Sequence, residues 1–490
     1  MPTNLKDRLS KSRYMEGLRC PLAVYLSVHN YELRSQPTPE QQSRFDAGNR
    51  VGELARDRYP GGVLIEQDHL HHREAIDATR TALADGVPAI FEAAFKYDNV
   101  KIRADVLRQL PGGGFELLEV KSTASYTAEK HLPDAGVQLH VLLGCGIDVK
   151  RVSLMHLNKS YVYPGGDYDP QQLFTSTDIT SEAFDYLACV PEHLARMMAT
   201  INLPEAPLAT PGARCSKPYD CAFVDWCNRD VPAPDYSGDV TTVPAILSRL
   251  DDLKFPLCFA DFETVNPALP IFVGQSPYQT SPVQWSIHIL HADGRLEHAE
   301  WLIGDASCDP APEFMRTLLG ALETSGTFVH YSAYERTQLV EIARRYPEFR
   351  QLLVDHIPGF YDKLSEKLVS TGIASADLHP ASSDDGLADF DLGMRVIRQG
   401  CNHPEMGPGK YTIKTATKLL ARDLPPYEGL AVSNGSQAMA ATEIMLAPDT
   451  PTDQAAQIRV DLLEYCEQDT KAMVEIYRTL VGDGRGQGRP

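Results

Sequence analysis

The sequence predicts a mixed α/β protein divided into two domains, and three observations lead to this expectation. The chain has 490 residues, more than one hydrophobic core usually supports. A polar, proline-rich run over residues 230–239 interrupts it near the middle. Strand-like and helix-like segments alternate on both sides of this run. The expected divisions are a first domain over residues 1–229, a linker over 230–250, a second domain over 251–481 and a disordered, glycine-rich tail over 482–490.

Composition favours a soluble protein of a reducing, cytoplasmic compartment. No apolar run approaches the length of a membrane span, and no apolar signal-peptide core follows the basic residues near the start. Ten cysteines without such a signal argue against disulfides and favour metal ligation where cysteines cluster. The formal net charge of −20 argues against broad, non-specific binding of nucleic acid. It remains compatible with a nuclease, because divalent-cation sites need clustered carboxylates.

The first domain is expected to bring acidic side chains together on a hairpin. A helix is predicted over residues 41–59, strands over 100–109 and 115–122 around a Pro-Gly-Gly-Gly turn, and a helix over 135–144. Residues two apart on a strand share a face, so Glu119 and Lys121 point the same way, and the partner strand can add Asp105. Two carboxylates and a lysine fit phosphodiester hydrolysis with Mg²⁺ or Mn²⁺. An ordinary surface hairpin is the alternative.

Four cysteines are predicted to tie the ends of the first domain together. Cys20 stands alone, and Cys215, Cys221 and Cys227 follow with the spacing Cys-x₅-Cys-x₅-Cys. Four soft thiolates suit an iron–sulfur cluster or zinc, and this spacing is looser than the Cys-x₂-Cys typical of zinc. We favour the iron–sulfur cluster over zinc, and zinc over unliganded core cysteines. The other six cysteines stand singly on apolar stretches and are expected in the core.

The second domain is expected to begin with a helix over residues 243–253 and an apolar strand over 256–264. The strand carries Asp261 and Glu263 on one face. Burying two carboxylates on one face is costly without a cation, so this pair predicts a metal site. A second strand is expected over residues 326–332.

Two helices of the second domain are expected to complete this site. The helix predicted over residues 334–343 has Glu335 in its first turn. The long helix predicted over residues 460–480 has Tyr465 and Asp469 four positions apart, and therefore on one face. The alternative is ordinary structure, with Glu335 as a helix cap, Tyr465 in the core and Asp469 in solvent.

The first domain resembles the PD-(D/E)XK nucleases, specifically the RecB-like branch that carries an iron–sulfur cluster. The matching residues are Ile102-Arg-Ala-Asp105, Leu118-Glu-Val-Lys121 and Gln138. The resemblance implies a restriction-endonuclease-like fold in which Asp105 and Glu119 bind the metal and Gln138 supports them. The family's upstream Gly-x-x-x-His-Glu pattern has Gly52 at the histidine position here, and Glu53 is the implied substitute ligand. The implied cofactor is a [4Fe–4S] cluster held by Cys20, Cys215, Cys221 and Cys227.

The second domain resembles the DnaQ-like (DEDD) exonucleases, which have a ribonuclease H-like α/β fold. The first motif of that family is Asp261-Phe-Glu263 here, and the third is Tyr465-Cys-Glu-Gln-Asp469. Glu335 stands where the second motif usually has aspartate. The resemblance implies that the four acids bind Mg²⁺ or Mn²⁺, that Tyr465 orients the attacking water, and that nucleotides are removed from a 3′ end.

Nearly the whole chain resembles a bacterial two-nuclease family that is catalogued as a domain of unknown function. Further segments that carry the resemblance are Leu9–Tyr14, Gly17–Pro21, Pro277–Tyr278, Gln284 and Gly409–Lys414. Lys410, Lys414 and Lys418 form a local basic cluster, which predicts either contacts to backbone phosphates or a solvated face. Asp391 is a further acidic candidate near the second site.

These patterns predict a metal-dependent nuclease with two catalytic domains. We expect it to act on single strands or ends of DNA, in repair or anti-phage defence, with nucleic acid as the main partner and a helicase or a defence-system protein as a candidate partner. An RNA-processing exonuclease is the first alternative, since discrimination depends on a few contacts to the 2′-hydroxyl. The second alternative is a first domain that only binds nucleic acid, as a non-catalytic iron–sulfur scaffold.

Overall fold

The computed structural model describes residues 9–68, 70–217, 219–381 and 386–485, with side chains up to residue 482. Over this range the chain is mixed α/β, as predicted, and it divides into two compact units. The first unit runs to Pro232 and includes two short later segments, and the second unit holds the rest of the chain. Within the described residues, no helix has both the length and the apolar character needed to cross a membrane.

The first unit is built on a seven-stranded mixed sheet. Its strands are β1 (Leu9–Ser10), β2 (Val63–Leu64), β3 (Ala89–Tyr97), β4 (Val100–Gln109), β5 (Phe115–Lys121), β6 (Val149–Leu157) and β7 (Phe174–Asp178). The strand order is β2-β3-β4-β5-β6-β7, with β1 beside β4. The pairs β1–β4, β2–β3 and β5–β6 are parallel, and the other neighbours are antiparallel.

The predicted hairpin is present in this sheet. Strand β4 has the predicted bounds, and β5 ends one residue before the predicted end. Gly113 and Gly114 between the strands have φ values of 87° and 76°, which residues with a side chain rarely adopt. A Cβ on Gly114 would also lie 2.8 Å from the backbone oxygen of Asp148, so only glycine fits there.

The helices of the first unit are α1 (Lys11–Arg19), α2 (Pro21–His29), α3 (Pro39–Arg56), α4 (His72–Ala84), α5 (Ala128–Gly144), α6 (Pro170–Leu173), α7 (Thr180–Tyr186), α8 (Val190–Ile201) and α9 (Val224–Asn228). Helix α3 begins earlier than predicted because Thr38 and Gln41 form a capping box ahead of it. Helix α5 also begins earlier, since Pro133 lies inside the helix and does not start it. Buried side chains of α5, among them Val137, Val141 and Leu142, pack into the main core of the unit.

The second unit contains a five-stranded mixed sheet and a separate two-stranded ribbon. The strands are β8 (Thr241–Thr242), β9 (Leu257–Val265), β10 (Ser281–Leu290), β11 (Leu296–Leu302), β12 (Gly326–His330), β13 (Leu387–Asp391) and β14 (Cys401–Asn402). The order of the larger sheet is β11-β10-β9-β12-β13. Strands β9, β12 and β13 run parallel to one another, whereas β10 is antiparallel to both of its neighbours.

The helices of the second unit are α10 (Pro244–Asp251), α11 (Ala311–Ala321), α12 (Ala333–Arg345), α13 (Arg350–His356), α14 (Tyr361–Ser370), α15 (Arg398–Gly400), α16 (Ile413–Leu420), α17 (Gly435–Leu446) and α18 (Thr452–Arg485). A π-helical turn, Gly393–Ile397, leads into α15. Helix α12 begins after Ser332, whose side chain accepts a hydrogen bond from the Tyr334 N–H. Helix α18 packs against β9 and β10, so one helix can bring side chains to the acidic face of β9.

Two predicted boundaries are wrong in part. The segment 230–250 is not a free linker, because it contains β8, which pairs with β14, and most of α10. Leu250 of this helix is buried in a core of the second unit. The predicted disordered tail begins inside α18, which continues to Arg485. The rest of that tail, residues 486–490, lies outside the described residues.

Candidate metal centres

The first candidate site lies where β4 and β5 diverge. The C-terminal end of β4 pairs with β5, whereas its first residues, Val100 and Lys101, pair with β1. Asp105 stands between these two regions, and its Oδ2 accepts a hydrogen bond of 2.8 Å from the Val120 N–H. The sheet therefore fixes the Asp105 carboxylate next to the strand that carries Glu119.

Two lysines lie among the carboxylates of this first cluster. Lys121 Nζ is 2.6 Å from Glu119 Oε1 and 2.5 Å from Asp134 Oδ2. Lys11, the first residue of α1, places its Nζ 3.0 Å from Glu119, 3.5 Å from Asp134 and 3.8 Å from Asp105. The Lys11 ammonium thus stands among three carboxylates, as a bound cation would. Neither Lys11 nor Asp134 is among the residues that the sequence predicts for the site.

Gln138 supports the carboxylates from α5. Its Nε2 donates to Glu119 Oε2, and also to Asp134 Oδ1 at 3.1 Å, one helical turn earlier. Both Gln138 and Glu119 are fully buried. Gln138 Oε1 is buried as well and has no hydrogen-bond partner in the described part of the chain. An acceptor left in this state could accept a hydrogen bond from a water molecule bound in the cluster.

The two lysines favour the ionised form of Glu119. Burial and the neighbouring Asp105 would raise the pKa of Glu119, but Lys11 and Lys121 outweigh them and hold this pKa below its ordinary value. Burial would lower the pKa of Lys11, yet the surrounding carboxylates raise it well above its usual range. The same balance raises the pKa of Lys121. The first cluster is therefore a set of carboxylates that the protein itself neutralises.

Glu53 is not joined to this cluster. Its carboxylate pairs with Arg50 at 3.1 Å, and its side chain is 53% exposed. Among the described contacts, no hydrogen bond or ion pair connects Glu53 with Asp105 or Glu119. The expected substitution of Glu53 for the missing histidine therefore stays a prediction, and in this structure the Glu53 carboxylate is paired with Arg50.

The four cysteines predicted as cofactor ligands come together. Cys20 lies between α1 and α2, Cys215 and Cys221 precede α9, and Cys227 lies within α9. All four are half-buried and line one pocket. Burial, followed by the three neighbouring thiols, raises the pKa of Cys227. The structure thus assembles a four-thiol site from the two ends of the first unit.

The expectation that the remaining cysteines are buried is half right. Cys258, Cys401 and Cys466 are buried, whereas Cys189 is half-buried and Cys145 and Cys308 are exposed. Cys145 follows the last residue of α5, where the chain turns at the surface, so the apolar helix before it does not cover the thiol.

The second candidate site lies between β9 and α18. Asp261 and Glu263 share a face of β9, and Asp469 reaches them from the helix. One carboxylate oxygen from each of the three lies within 4.8 Å of the other two. Asp469 is 4% exposed, so the alternative of a solvated aspartate is wrong.

Glu335 faces the same cluster from the first turn of α12. Its charge adds to the causes that raise the pKa of Asp261 and Glu263. It is not the helix cap, since Ser332 fills that position. Its carboxylate lies 3.8 Å from the His330 ring and does not belong to the closest group of three acids.

The four acids of the second cluster all have raised pKa values, because the positive charges beside them do not offset their burial. Burial is the largest cause of the raised pKa values of all four acids, and neighbouring carboxylates add to it for Asp261, Glu263 and Glu335. The pKa is raised to about 8 for Glu263, about 7 for Glu335 and about 6 for Asp469, and well above its ordinary range for Asp261. A divalent cation would remove this repulsion, because it favours the ionised form of each ligand.

Two tyrosines and a lysine surround Asp469. The Tyr427 hydroxyl donates to Asp469 Oδ1 at 2.6 Å. Tyr465 is buried, which agrees with the alternative that it is a core residue. Its hydroxyl nevertheless also interacts with Asp469. Lys414 Nζ lies 5.2 Å and 5.3 Å from the centres of the Tyr427 and Tyr465 rings. Tyr427 is a site residue that the sequence analysis missed.

The predicted basic cluster separates into two kinds of lysine. Lys410 pairs with Glu405 at 3.3 Å and Lys418 pairs with Glu428, both at the surface. Lys414 instead interacts with the acids of the second site, and burial lowers its pKa. Asp391, the additional acidic candidate, accepts a hydrogen bond from the Met394 N–H and adds to the raised pKa of Glu335.

A family model matches residues 258–370 of the chain, and its description is a domain of unknown function (DUF2779). This match covers Asp261, Glu263 and Glu335 but ends before Tyr465 and Asp469. No curated protein matches the chain. The chemistry of the two clusters is therefore the basis for a functional assignment.

Proposed function

We propose that this protein is a metal-dependent nuclease whose second unit removes nucleotides from the 3′ ends of DNA. The convergence of Asp261, Glu263 and Asp469 carries the proposal, because one oxygen of each lies within 4.8 Å of the others in a buried, acidic setting. Their chemistry fits Mg²⁺ or Mn²⁺, which prefer oxygen ligands. The mixed sheet that holds them supports the resemblance to the DnaQ-like exonucleases and their ribonuclease H-like fold.

The bound divalent ions would supply Lewis acidity towards the scissile phosphate and the attacking water. The residues of the chain position the reactants. Burial and the nearby carboxylates keep the Tyr465 phenol protonated, so it can hydrogen-bond to a water. Tyr427 fixes the orientation of Asp469. Lys414 offers a positive charge beside the acids, where a phosphate would lie, and can offset charge that develops in the transition state.

An iron–sulfur cluster in the first unit is part of this proposal. Cys20, Cys215, Cys221 and Cys227 line one pocket of the first unit, and four thiolates suit such a cluster. Their spacing in the sequence is looser than the Cys-x₂-Cys typical of zinc, which favours iron–sulfur over zinc. The four cysteines come from the start and the end of the first unit. This arrangement supports the resemblance to the RecB-like nucleases and a structural cofactor that joins the two ends of the unit.

The cysteine site has a direct test. Cys227→Ala should abolish the iron content and the visible absorbance of protein that is purified without oxygen. Cys145→Ala, which changes an exposed cysteine of the same unit, is the matched control and should keep both. Wild-type protein that contains zinc and no iron would contradict the iron–sulfur assignment.

A second candidate role concerns the first unit alone. The pairing of Lys11 with Asp105, Glu119 and Asp134 favours a unit that binds nucleic acid without cleaving it, because an ammonium group stands where a catalytic cation would be needed. The PD-(D/E)XK resemblance favours a second cleavage site instead. Lys121→Ala separates the two roles, since a catalytic first unit should lose activity and a scaffold should not.

The activity assay uses the full chain with single-stranded DNA and RNA labelled at either end, in Mg²⁺ or Mn²⁺. Asp261→Asn should lower shortening from the 3′ end by more than about 100-fold, because even the loss of an outer-shell partner of a metal ligand costs roughly 10–100-fold. Asp252→Asn changes an exposed acid close to β9 and should have no effect. Unchanged cleavage in Asp261→Asn would reject the site, and preference for RNA would replace DNA with the RNA-processing alternative.

A further inference from the structure

A second group of metal-binding side chains lies on the same unit and shares no residue with the acidic cluster. His288 on β10, His298 on β11 and Glu467 on α18 each offer a donor atom, and the three atoms lie within 4.8 Å of one another. Two imidazoles and one carboxylate are a common ligand set for transition metals. None of these three residues is explained by the nuclease chemistry.

The sheet register places the two histidines in contact. His288 is directly opposite His298 in the antiparallel pair β10–β11, so their side chains emerge on the same face. The rings are stacked, with their centres 4.6 Å apart and their planes at 28°. His288 is buried and His298 is exposed, which gives the group one fixed side and one side open to solvent.

Hydroxyl groups hold both rings. His298 Nε2 lies 2.9 Å from Ser286 Oγ, and His288 Nδ1 lies 2.8 Å from Thr470 Oγ1. The two hydroxyls are themselves 3.0 Å apart. Each ring therefore has one nitrogen engaged by a hydroxyl and a second nitrogen for an ion. Oriented imidazoles of this kind are typical of metal sites, where partners outside the ligand set fix the ring and its tautomer.

We propose that His288, His298 and Glu467 bind a transition-metal dication of the zinc class, with a water completing the coordination. The ion would join three elements, because the histidines come from the β10–β11 hairpin and the carboxylate comes from α18. Among the described residues, strand β11 is an edge of the sheet and pairs with β10 alone. A metal bridge would tie this edge to the helix that carries Tyr465 and Asp469.

The test counts zinc on the full chain after treatment with a chelator, in excess Mg²⁺ so that the acidic cluster is occupied. His298→Ala and Glu467→Gln should each bind one equivalent of Zn²⁺ less than the wild type, and should show a smaller rise in melting temperature when Zn²⁺ is added. Both residues are at least partly exposed, so folding is expected to survive and circular dichroism checks it. His291→Ala, in the same hairpin but outside the group, is the control and should keep both effects.

The four cysteines are unchanged in all of these variants, so any metal that they bind contributes equally and the difference between variants reports the histidine group alone. Asp261→Asn should retain the equivalent of zinc that His298→Ala loses. Equal zinc content and equal thermal shifts in wild type, His298→Ala and Glu467→Gln would overturn the proposal. Loss of that equivalent in Asp261→Asn instead would assign the zinc to the acidic cluster and overturn it as well. Neither result depends on nuclease activity.

Discussion

Each unit brings buried carboxylates together, but the two clusters differ in the positive charges that lie beside these carboxylates. In the first, Lys11 and Lys121 lie within ion-pair distance of the acids, and the pKa of Glu119 is lowered. In the second, the charge of Lys414 is outweighed by burial and neighbouring acids, and the pKa of Glu263 is raised to about 8. The pKa values of Glu119 and Glu263 are therefore shifted in opposite directions, because the two clusters differ in the cations around them. A bound divalent ion would therefore reduce the repulsion between carboxylates more in the second cluster than in the first.

The largest expected effect that tests this contrast is on metal binding by the second cluster. Asp469→Asn should reduce the proposed exonuclease activity by more than about 100-fold and abolish the stabilisation expected from Mn²⁺ at this cluster, since it removes one of the three proposed ligands. The metal-free variant should be no less stable than the wild type, because a repelling charge is removed. Calorimetry with and without Mn²⁺ measures this. Asp461→Asn, earlier on the same helix, is the control and should keep both properties.

The second prediction uses pH to separate the clusters. Glu263 has an ordinary pKa of 4.5 and a folded-state pKa of about 8, so the folded state binds more protons between these values. Stability should therefore fall as pH rises from 5 to 8 in metal-free protein, by up to about 1.4 kcal/mol per pH unit for each proton released. Glu263→Gln should flatten this slope in denaturant titrations. An unchanged slope would contradict the raised pKa.

For Glu119 the sign is reversed. Its folded-state pKa is below the ordinary value of 4.5, so the stability that it contributes is present above that value and is lost as pH falls through the lower folded-state pKa. The first unit should therefore weaken in acid, whereas the second unit weakens as pH rises. Saturating Mn²⁺ should reduce the pH dependence of the stability of the second unit, and it should change the pH dependence of the first unit less.

The third prediction concerns the internal cation. Lys11→Ala should destabilise the metal-free first unit by about 2–3 kcal/mol, because it removes one of the two lysines that neutralise the buried carboxylates of Glu119 and Asp134. Mn²⁺ should then restore stability, since the ion can take the position of the ammonium group. Lys150→Ala removes an exposed partner of Asp148 and should cost less than about 1 kcal/mol. Loss of stability without rescue by Mn²⁺ would mean that the first cluster does not accept a cation.

The smallest expected effect is that of Tyr427→Phe. The change removes the hydrogen bond to Asp469 and should lower kcat by roughly 10-fold, since a hydrogen bond to a charged group contributes about 1.5–3 kcal/mol. The KM for the DNA end should change little. A drop in stability without a change in kcat would assign Tyr427 to folding alone.

Local patterns in the sequence were sufficient to predict the positions of site residues that share a strand or a helix. The strand β4, the pair Asp261 and Glu263, and the helix position of Asp469 follow from periods of two and 3.6 residues. Asp134 was missed because the helix was expected to begin one residue after it, beyond Pro133. Its spacing of four residues from Gln138 was the available signal.

The residues that complete the sites from distant segments had no such signal. Lys11 follows a strand of two residues, which is too short to show periodicity. Tyr427 lies in a single 3₁₀ turn between helices, and its partner Asp469 comes 42 residues later. The two-residue strand β8 was likewise taken for part of a linker. Contacts of this kind are decided by tertiary packing, which one sequence does not reveal.

The parallel pairing of β1 with β4 has a consequence for how the first unit is made. Lys11 and Glu119 are 108 positions apart, so Lys11 leaves the ribosome long before its acidic partner has been synthesised. Forming so distant a contact requires closure of a long loop, and such contacts are slow to form. A first unit in which β1 has not yet paired with β4 would have Lys121 but not Lys11 beside Glu119 and Asp134. We therefore expect this cluster to be completed late in folding, when the two ends of the long loop meet.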